Sequence, residues 1–136
     1  MQVNLQNCFW LGQIVVEGMK KLGREKMVFF SSVSRVLAHP HHGAYAASKG
    51  AMNQLMKVRA VDWANKGICV NAVGPGYAET PLTQKYLGLP GKKEELIEKV
   101  PMGRLAIPQD IVGPVLFLIS PRSDYVTGQV LLVDRG

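Results

Sequence analysis

The sequence has few cysteines and only short apolar runs, and both absences narrow the class of protein it can encode. Cys8 and Cys69 are the only cysteines among 136 residues. Two cysteines are too few for the set of disulfide bonds that stabilises a small secreted domain. We therefore expect a cytoplasmic protein whose thiols stay reduced and pack as small apolar groups. The apolar runs are also shorter than the roughly 18 residues that a membrane-spanning helix needs, so we predict no membrane partner.

A concentrated basic stripe is also lacking, although the formal net charge is +6. Lysines and arginines are scattered from Lys20 to Arg135, and no aromatic residues that could stack on bases alternate with them. We therefore predict no nucleic-acid partner, and we interpret the positive potential as suited to an anionic cofactor or an acidic substrate. Apolar residues make up 47% and charged residues 19% of the chain, a balance typical of a globular domain.

Hydrophobic periodicity predicts helices that alternate with short strands. The helices are predicted at residues 2–22, 43–65, 92–100 and 108–119, and the strands at residues 26–33, 68–73 and 129–133. An apolar stripe on the first helix comprises Val3, Phe9, Trp10, Ile14, Val15 and Met19. The strands are continuously apolar, as expected for a parallel sheet covered on both faces. This order of elements predicts a three-layer α/β arrangement.

The segment at residues 74–105 is irregular and rich in proline and glycine. A connection of this length is uncommon in a compact domain, which favours a lid over a binding site. Arg104 lies near the end of this segment, where a structural ion pair is a better interpretation than a substrate contact.

Three histidines lie in the predicted loop at residues 34–42. His39, His41 and His42 have no neighbouring carboxylate or cysteine in the sequence, so we predict no metal site. His42 comes three residues before Tyr45, so His41 or His42 is a candidate for contact with a substrate, and a plain loop role is the alternative.

Tyr45 and Lys49 form the most informative pair in the sequence. They lie four residues apart in a predicted helix, and residues with this spacing share one helix face. The spacing therefore places an ammonium beside a phenol, and a phenol assisted by a nearby positive charge can act as a general acid or base.

The residues around this pair resemble the short-chain dehydrogenase/reductase family over essentially the whole chain. The matching motifs, in order, are Asn4-Leu5, Ser31-Ser32, Tyr45-x-x-x-Lys49, Asn71-Ala72-Val73-Gly74-Pro75-Gly76 followed by Thr80, and Val133-Asp134-Arg135-Gly136. Ser32 precedes Tyr45 by 13 residues, which is the separation found in that family. Arg135 stands where the family usually has glycine.

The resemblance implies a catalytic set of four residues. Tyr45 would exchange a proton with a carbonyl or alcohol oxygen of the substrate, and Ser32 would position that oxygen. Lys49 would assist Tyr45 and contact the nicotinamide ribose. Asn4 would hold a water that links Lys49 to solvent.

The resemblance also implies a nicotinamide dinucleotide cofactor, NAD or NADP, and a small alcohol or ketone as substrate. The residues implied to bind the cofactor are Tyr45, Lys49, Pro75, Gly76, Ala78 and Thr80. Those implied to contact the substrate are Ser32, His42 and Tyr45. Thr80 also precedes Pro81, so a helix N-cap is a second and compatible role for it.

The family's N-terminal half has no counterpart in this sequence. The chain contains no Gly-x-x-x-Gly-x-Gly turn, the element that holds a cofactor pyrophosphate at a helix N-terminus. We therefore expect residues 1–136 to form one partial domain, the C-terminal half of a Rossmann-type doubly wound sheet, inactive by itself. Its first strand would lack an inner neighbour and expose an apolar edge, so we predict an isolated chain that is poorly soluble or needs a partner.

The implied reaction interconverts a secondary alcohol and a ketone by hydride transfer. The Pro-Gly-Tyr-x-x-Thr start of the predicted lid looks most like members of the gluconate 5-dehydrogenase and 2-deoxygluconate 3-dehydrogenase type, which favours a sugar acid or polyol as substrate. One alternative is a 3-oxoacyl carrier-protein reductase, and another is a non-enzymatic remnant that acts as an interaction module. The resemblance further implies a homodimer or homotetramer formed through the helices at residues 2–22 and 43–65.

Overall fold

A computed structural model describes residues 2–35, 41–134 and 136, and it confirms the predicted alternation of helices and strands. The helices are α1 (Asn7–Leu22), α2 (Gly43–Ala64), α3 (Pro81–Leu87), α4 (Lys92–Glu98) and α5 (Pro108–Ile119), and the strands are β1 (Glu25–Phe30), β2 (Ile68–Pro75) and β3 (Val130–Val133). One π-helical turn, Gln2–Gln6, precedes α1, and 3-10 turns lie at Val33–Arg35 and Pro121–Ser123.

Two predicted strand boundaries were wrong. β1 ends at Phe30 rather than residue 33, because the chain turns into the 3-10 segment Val33–Arg35. β2 continues to Pro75 rather than ending at residue 73, because Pro75 still pairs with Val133 of β3. The irregular segment predicted from residue 74 therefore begins at Gly76, and the ends of α2, α4 and β3 differ from the prediction by only one or two residues.

The three strands form a parallel sheet in the order β1-β2-β3, with helices on both faces. Phe29 and Val70 pack against Met56 of α2, on the side that α1 also covers. Residues Val28 and Val73 point the other way and pack with α5, because successive side chains of a strand face opposite sides of the sheet. The result is the predicted three-layer α/β arrangement.

A smaller cluster lies apart from these two faces, in the segment after β2. Leu96, Val100 and Leu105 are buried together, and Tyr77 and Leu87 pack against them. This cluster holds α3 and α4 in place beside the carboxyl ends of the strands.

The apolar stripe predicted on the first helix is mostly exposed, although Met19 packs against the core. Trp10 is 63% and Ile14 is 73% exposed, whereas Gly12 and Val16 are buried. The buried side of α1 faces Arg59 of α2, whose guanidinium donates hydrogen bonds to the backbone carbonyls of Cys8 and Phe9. Gly12 makes room for that guanidinium, since a Cβ there would lie 2.0 Å from Arg59 Nη1.

β1 is one of the two outer strands of the sheet in the described part of the chain, and β3 is the other. Phe30, at the end of β1, is 55% exposed. The poor solubility that we expect from this edge stays a prediction. None of the helices within the described ranges is long and apolar enough to cross a membrane.

Candidate active site

The segments that follow β1 and β2 meet at one edge of the sheet. Ser32, after β1, and Gly76, after β2, both line a cleft of about 530 Å³. The carboxyl ends of parallel strands are the usual position of a ligand site in an open α/β sheet. Tyr45 enters the same cleft from the first turn of α2, and His42 lines it just before that turn. The structure therefore brings the predicted substrate contacts together.

Backbone contacts hold Ser32 at the wall of this cleft. Its side chain is buried, and its Oγ accepts a hydrogen bond from the backbone N–H of Ser34 at 3.2 Å. Tyr45 is 39% exposed and open to the cleft. Two hydroxyl groups on one cleft can bind the same substrate oxygen, one as a fixed donor and the other as a proton carrier.

Lys49 lies one helical turn after Tyr45, as its position in the sequence predicts. Its ammonium nitrogen is 5.8 Å from the centre of the Tyr45 ring. The same nitrogen donates a hydrogen bond to the carbonyl of Phe30 at 2.6 Å, which ties α2 to the end of β1. Burial lowers the pKa of Lys49, and the Cys8 thiol acts in the opposite sense. An ammonium has three N–H donors, so Lys49 can donate further hydrogen bonds to a ligand.

Asn4 lies in the π-helical turn and contacts a residue that the sequence analysis did not single out. Its Nδ2 donates to Ser48 Oγ at 3.1 Å, and Ser48 Oγ donates to the carbonyl of Tyr45 at 2.7 Å. Asn4 is thus joined to the helix of Tyr45 through Ser48, and it shares a second cavity of about 440 Å³ with Lys49. A serine within a helix often bonds the carbonyl one turn earlier, and this signal could have identified Ser48.

The residues predicted to bind the cofactor divide into two groups. Gly76 and Ala78 line the cleft, and Gly76 also donates its N–H to the carbonyl of Val133 at 3.0 Å. A Cβ on Gly76 would lie 2.9 Å from the Cβ of Asp134, so glycine permits this close approach of two chain segments. Pro75 ends β2 outside the lining of the cleft.

Thr80 takes the N-cap position of α3. It accepts a hydrogen bond from the backbone N–H of Thr83, while Thr83 Oγ1 accepts one from the Thr80 N–H at 2.9 Å. Thr80 borders a separate cavity of about 450 Å³, and Thr83 is the threonine that lines the main cleft. The N-cap role given to Thr80 as a second interpretation is therefore present in the structure.

Two further sequence interpretations concern Arg104 and the histidines. Arg104 forms a two-bond ion pair with Asp110, at 2.7 and 2.8 Å, as expected for a structural role. The backbone N–H of Ile107 and the Arg104 guanidinium lower the pKa of Asp110. His39 lies outside the described residues, and no group of three metal-binding side chains occurs within the described ranges.

Helices α3 and α4 supply a wall of the cleft that the sequence analysis did not resolve into residues. We call it the α3–α4 wall, and it comprises Leu82, Thr83, Tyr86, Leu87, Glu95, Leu96 and Lys99. Three of its seven side chains are leucines, and the other four carry a polar or charged group. Glu95 and Lys99 are the charged ones, and they form an ion pair at 2.8 Å.

Comparisons with known proteins extend over the whole chain. A family profile described as enoyl-(acyl carrier protein) reductase matches residues 1–136. A tropinone reductase homologue of Arabidopsis thaliana and gluconate 5-dehydrogenase of Gluconobacter oxydans are each 38% identical to it over 136 residues. Both alignments take in 100% of this chain, and they take in 52% and 53% of those two proteins. The chain thus spans about half the length of the curated relatives it matches.

A solved structure is also similar to the whole of this chain. The crystal structure of gluconate 5-dehydrogenase from Burkholderia cenocepacia, in complex with NADP and tartrate, superposes with a TM-score of 0.96 at 38% sequence identity. The match covers 100% of this chain and 53% of that one.

Proposed function

Because the chain belongs to the short-chain dehydrogenase/reductase family, we propose that its cleft is the catalytic half of an oxidoreductase that interconverts a secondary alcohol and a ketone. The observation that carries the proposal is the shared cleft of Ser32 and Tyr45, with the Lys49 ammonium 5.8 Å from the Tyr45 ring. The substrate that we propose is a sugar acid or polyol.

Each of the candidate catalytic residues would have its own role in the proposed reaction. Tyr45 would donate a proton to the carbonyl oxygen in reduction and take it back in oxidation. Ser32 would donate a hydrogen bond to the same oxygen and hold it within reach of Tyr45. Lys49 would supply the neighbouring positive charge. Asn4, through Ser48, would hold the first turn of α2 in the position that Tyr45 needs.

The residues present fit the nicotinamide end of an NAD or NADP cofactor. Lys49 offers an ammonium beside Tyr45, and the chain passes close to the cleft at Gly76 and Ala78, where backbone groups could bind a carboxamide. When bound, the nicotinamide would supply or accept the hydride. The sequence contains no glycine-rich turn for the pyrophosphate, so we propose that this chain by itself does not turn over substrate.

The test is an activity assay on the native-length polypeptide from its source, with NAD and with NADP. We expect oxidation of D-gluconate or of a polyol, and a loss of roughly 100-fold or more in kcat for Tyr45→Phe, because general acid–base catalysis contributes factors of this size. Tyr86→Phe, which removes another hydroxyl from the same cleft, is the matched control and should cost less than about tenfold.

Two results would contradict the proposal. One is a Tyr45→Phe variant as active as the unchanged protein. The other is turnover of an acetoacetyl thioester in place of sugar acids and polyols, which would favour a 3-oxoacyl reductase instead.

We also propose that the protein forms a homodimer or homotetramer through α1 and α2. The supporting observation is the exposure of Trp10, Ile14, Val58 and Val61 on these two helices, since large exposed apolar patches mark interfaces. Sedimentation equilibrium should give a dimer or tetramer, and Trp10→Glu should lower the association state. A monomeric native-length protein would contradict this assignment.

A further inference from the structure

The α3–α4 wall carries an unbalanced cluster of charge at the cleft. Glu95 Oε1 lies 2.8 Å from Lys99 Nζ, and Glu95 Oε2 lies 2.8 Å from Lys92 Nζ. One carboxylate is therefore shared by two ammonium groups, and the cluster has a net charge of about +1. Of the two lysines, only Lys99 lines the cleft.

The shared carboxylate fixes the charge state of the cluster. Hydrogen bonds from Lys92 and Lys99 lower the pKa of Glu95 to about 2, and the hydrogen bond to Glu95 raises the pKa of Lys99. Both groups are therefore ionised at neutral pH. With each Glu95 oxygen bound to an ammonium, the carboxylate repels an incoming anion much less than a free one would.

The surroundings of Lys99 restrict what it can recognise. Leu87, Leu96 and Leu105 line the same cleft, together with the phenol rings of Tyr77 and Tyr86. Lys99 uses one of its three N–H donors on Glu95. The Lys99 side chain is 54% exposed where it lines the cleft, so its remaining donors are accessible to a ligand. A charged partner is favoured over a neutral one there, because hydrogen bonds to an ionised group are stronger.

We propose that Lys99 is a specificity-determining residue, held by Glu95, that binds a carboxylate on the substrate of the Ser32–Tyr45 site. This inference rests on the proposed function, and it narrows the substrate from sugar acids and polyols to sugar acids. The reacting carbon would lie at Ser32 and Tyr45, and the carboxylate would extend toward α4.

The test compares D-gluconate with D-glucitol, which share a carbon skeleton and differ by a carboxylate against a hydroxymethyl group at one end. In the native-length enzyme, Lys99→Met should raise KM for D-gluconate about 10- to 30-fold, the loss of one charge-assisted hydrogen bond. The kcat for D-gluconate and the kcat/KM for D-glucitol should stay within about twofold. KM for D-gluconate should also rise with ionic strength in the unchanged enzyme and lose that dependence in Lys99→Met.

Lys92→Met is the matched control, because it removes the other ammonium from Glu95 without touching the cleft. It should change KM for D-gluconate less than threefold. Equal effects of Lys92→Met and Lys99→Met would overturn the inference, since they would show that the packing or overall charge of the cluster matters and a contact with Lys99 does not. An equal loss for D-gluconate and D-glucitol in Lys99→Met would overturn it as well.

A binding measurement separates this inference from the proposed reaction. Calorimetric titration of the native-length Tyr45→Phe variant with D-gluconate measures carboxylate binding without turnover. Binding that is weakened by adding Lys99→Met but not Lys92→Met supports the inference even if no oxidation is found. Absence of D-gluconate binding, or binding indifferent to Lys99, overturns it even if the enzyme is active on another alcohol.

Discussion

The two sides of the cleft differ in the number of buried residues that pack against the helices carrying them. Tyr45 is on α2, a helix of 22 residues whose Met56 is fully buried in a cluster of nine residues from α1, α2, β1 and β2. The residues of the α3–α4 wall lie on or directly after two helices of seven residues each, and the cluster that packs with these helices contains three buried residues. The proposed chemistry thus lies on the firmly packed side, and the proposed selectivity lies on the lightly packed side.

This difference shows how proton transfer and admission of substrate can be assigned to separate parts of one small domain. Proton transfer needs atoms held to a fraction of an ångström, which a long helix in the main core supplies. Admission of substrate needs an element that opens at low cost, and segments with few buried contacts open most readily. We propose on this basis that residues 76–105 act as the lid predicted from the sequence.

Paired truncations on the two sides of the cleft test this contrast most directly. Met56→Ala should lower the free energy of unfolding by about 2–5 kcal/mol, because it empties space in the main core. Leu96→Ala should lower it by less than about 2 kcal/mol, since its cluster has only three buried residues and the emptied space can collapse. Denaturant unfolding of the native-length protein measures both changes.

Hydrogen exchange locates the effect of each truncation. Leu96→Ala should speed exchange of backbone amides in α3 and α4 and leave α2 unchanged. The contrast between the two sides would be wrong if Leu96→Ala cost as much global stability as Met56→Ala, or if it sped exchange equally in α2.

A second pair of substitutions tests how α1 is attached to α2 on the firmly packed side. Gly12→Ala would place a Cβ 2.0 Å from Arg59 Nη1, so the buried guanidinium must move away from the carbonyls of Cys8 and Phe9. We expect a loss of about 1–3 kcal/mol in the free energy of unfolding. Gly18→Ala is the control on the same helix, because within the described chain no atom beyond the adjacent residues and the nearby backbone of its own helix lies within 4 Å of the added Cβ.

Gly18→Ala should stabilise the protein by up to about 1 kcal/mol through the higher helix propensity of alanine. Thermal or denaturant unfolding distinguishes the opposite signs. Changes in the free energy of unfolding with the same sign and size in both variants would mean that the position of Arg59 does not depend on the space at Gly12.

The α2 side of the cleft is also the side that the sequence predicts well. Tyr45 and Lys49 share a helix face by spacing alone, and Ser32 reaches the same cleft because parallel strands end at one edge of the sheet. These relations follow from helix and sheet geometry, which does not depend on the rest of the chain.

Other features depend on tertiary contacts that no local pattern reveals. The buried face of α1 does not follow from its apolar stripe, because Arg59, 47 positions after Gly12 in the chain, occupies part of that face. Helices as short as α3 and α4 contain about two turns, too few for an apolar period to show which residues face the cleft. Glu95 and Lys99 therefore look like an ordinary solvent-exposed pair until the cleft is seen.

The smallest effect expected on the lightly packed side is the acid titration of Glu95. Hydrogen bonds from Lys92 and Lys99 lower the pKa of Glu95 from 4.5 to about 2 in the folded protein. A lowered pKa in the folded state means that the ion pairs support the α3–α4 wall fully above about pH 4.5 and lose that support as the pH falls toward 2. The carbon-13 shift of the Glu95 carboxyl should therefore change little between pH 5 and 3. The Lys92→Met, Lys99→Met double variant should move the titration midpoint of Glu95 up toward 4.5. A midpoint near 4.5 in the unchanged protein would mean that neither ammonium group holds the carboxylate. The contact that positions Lys99 for its proposed role in substrate binding would then be absent.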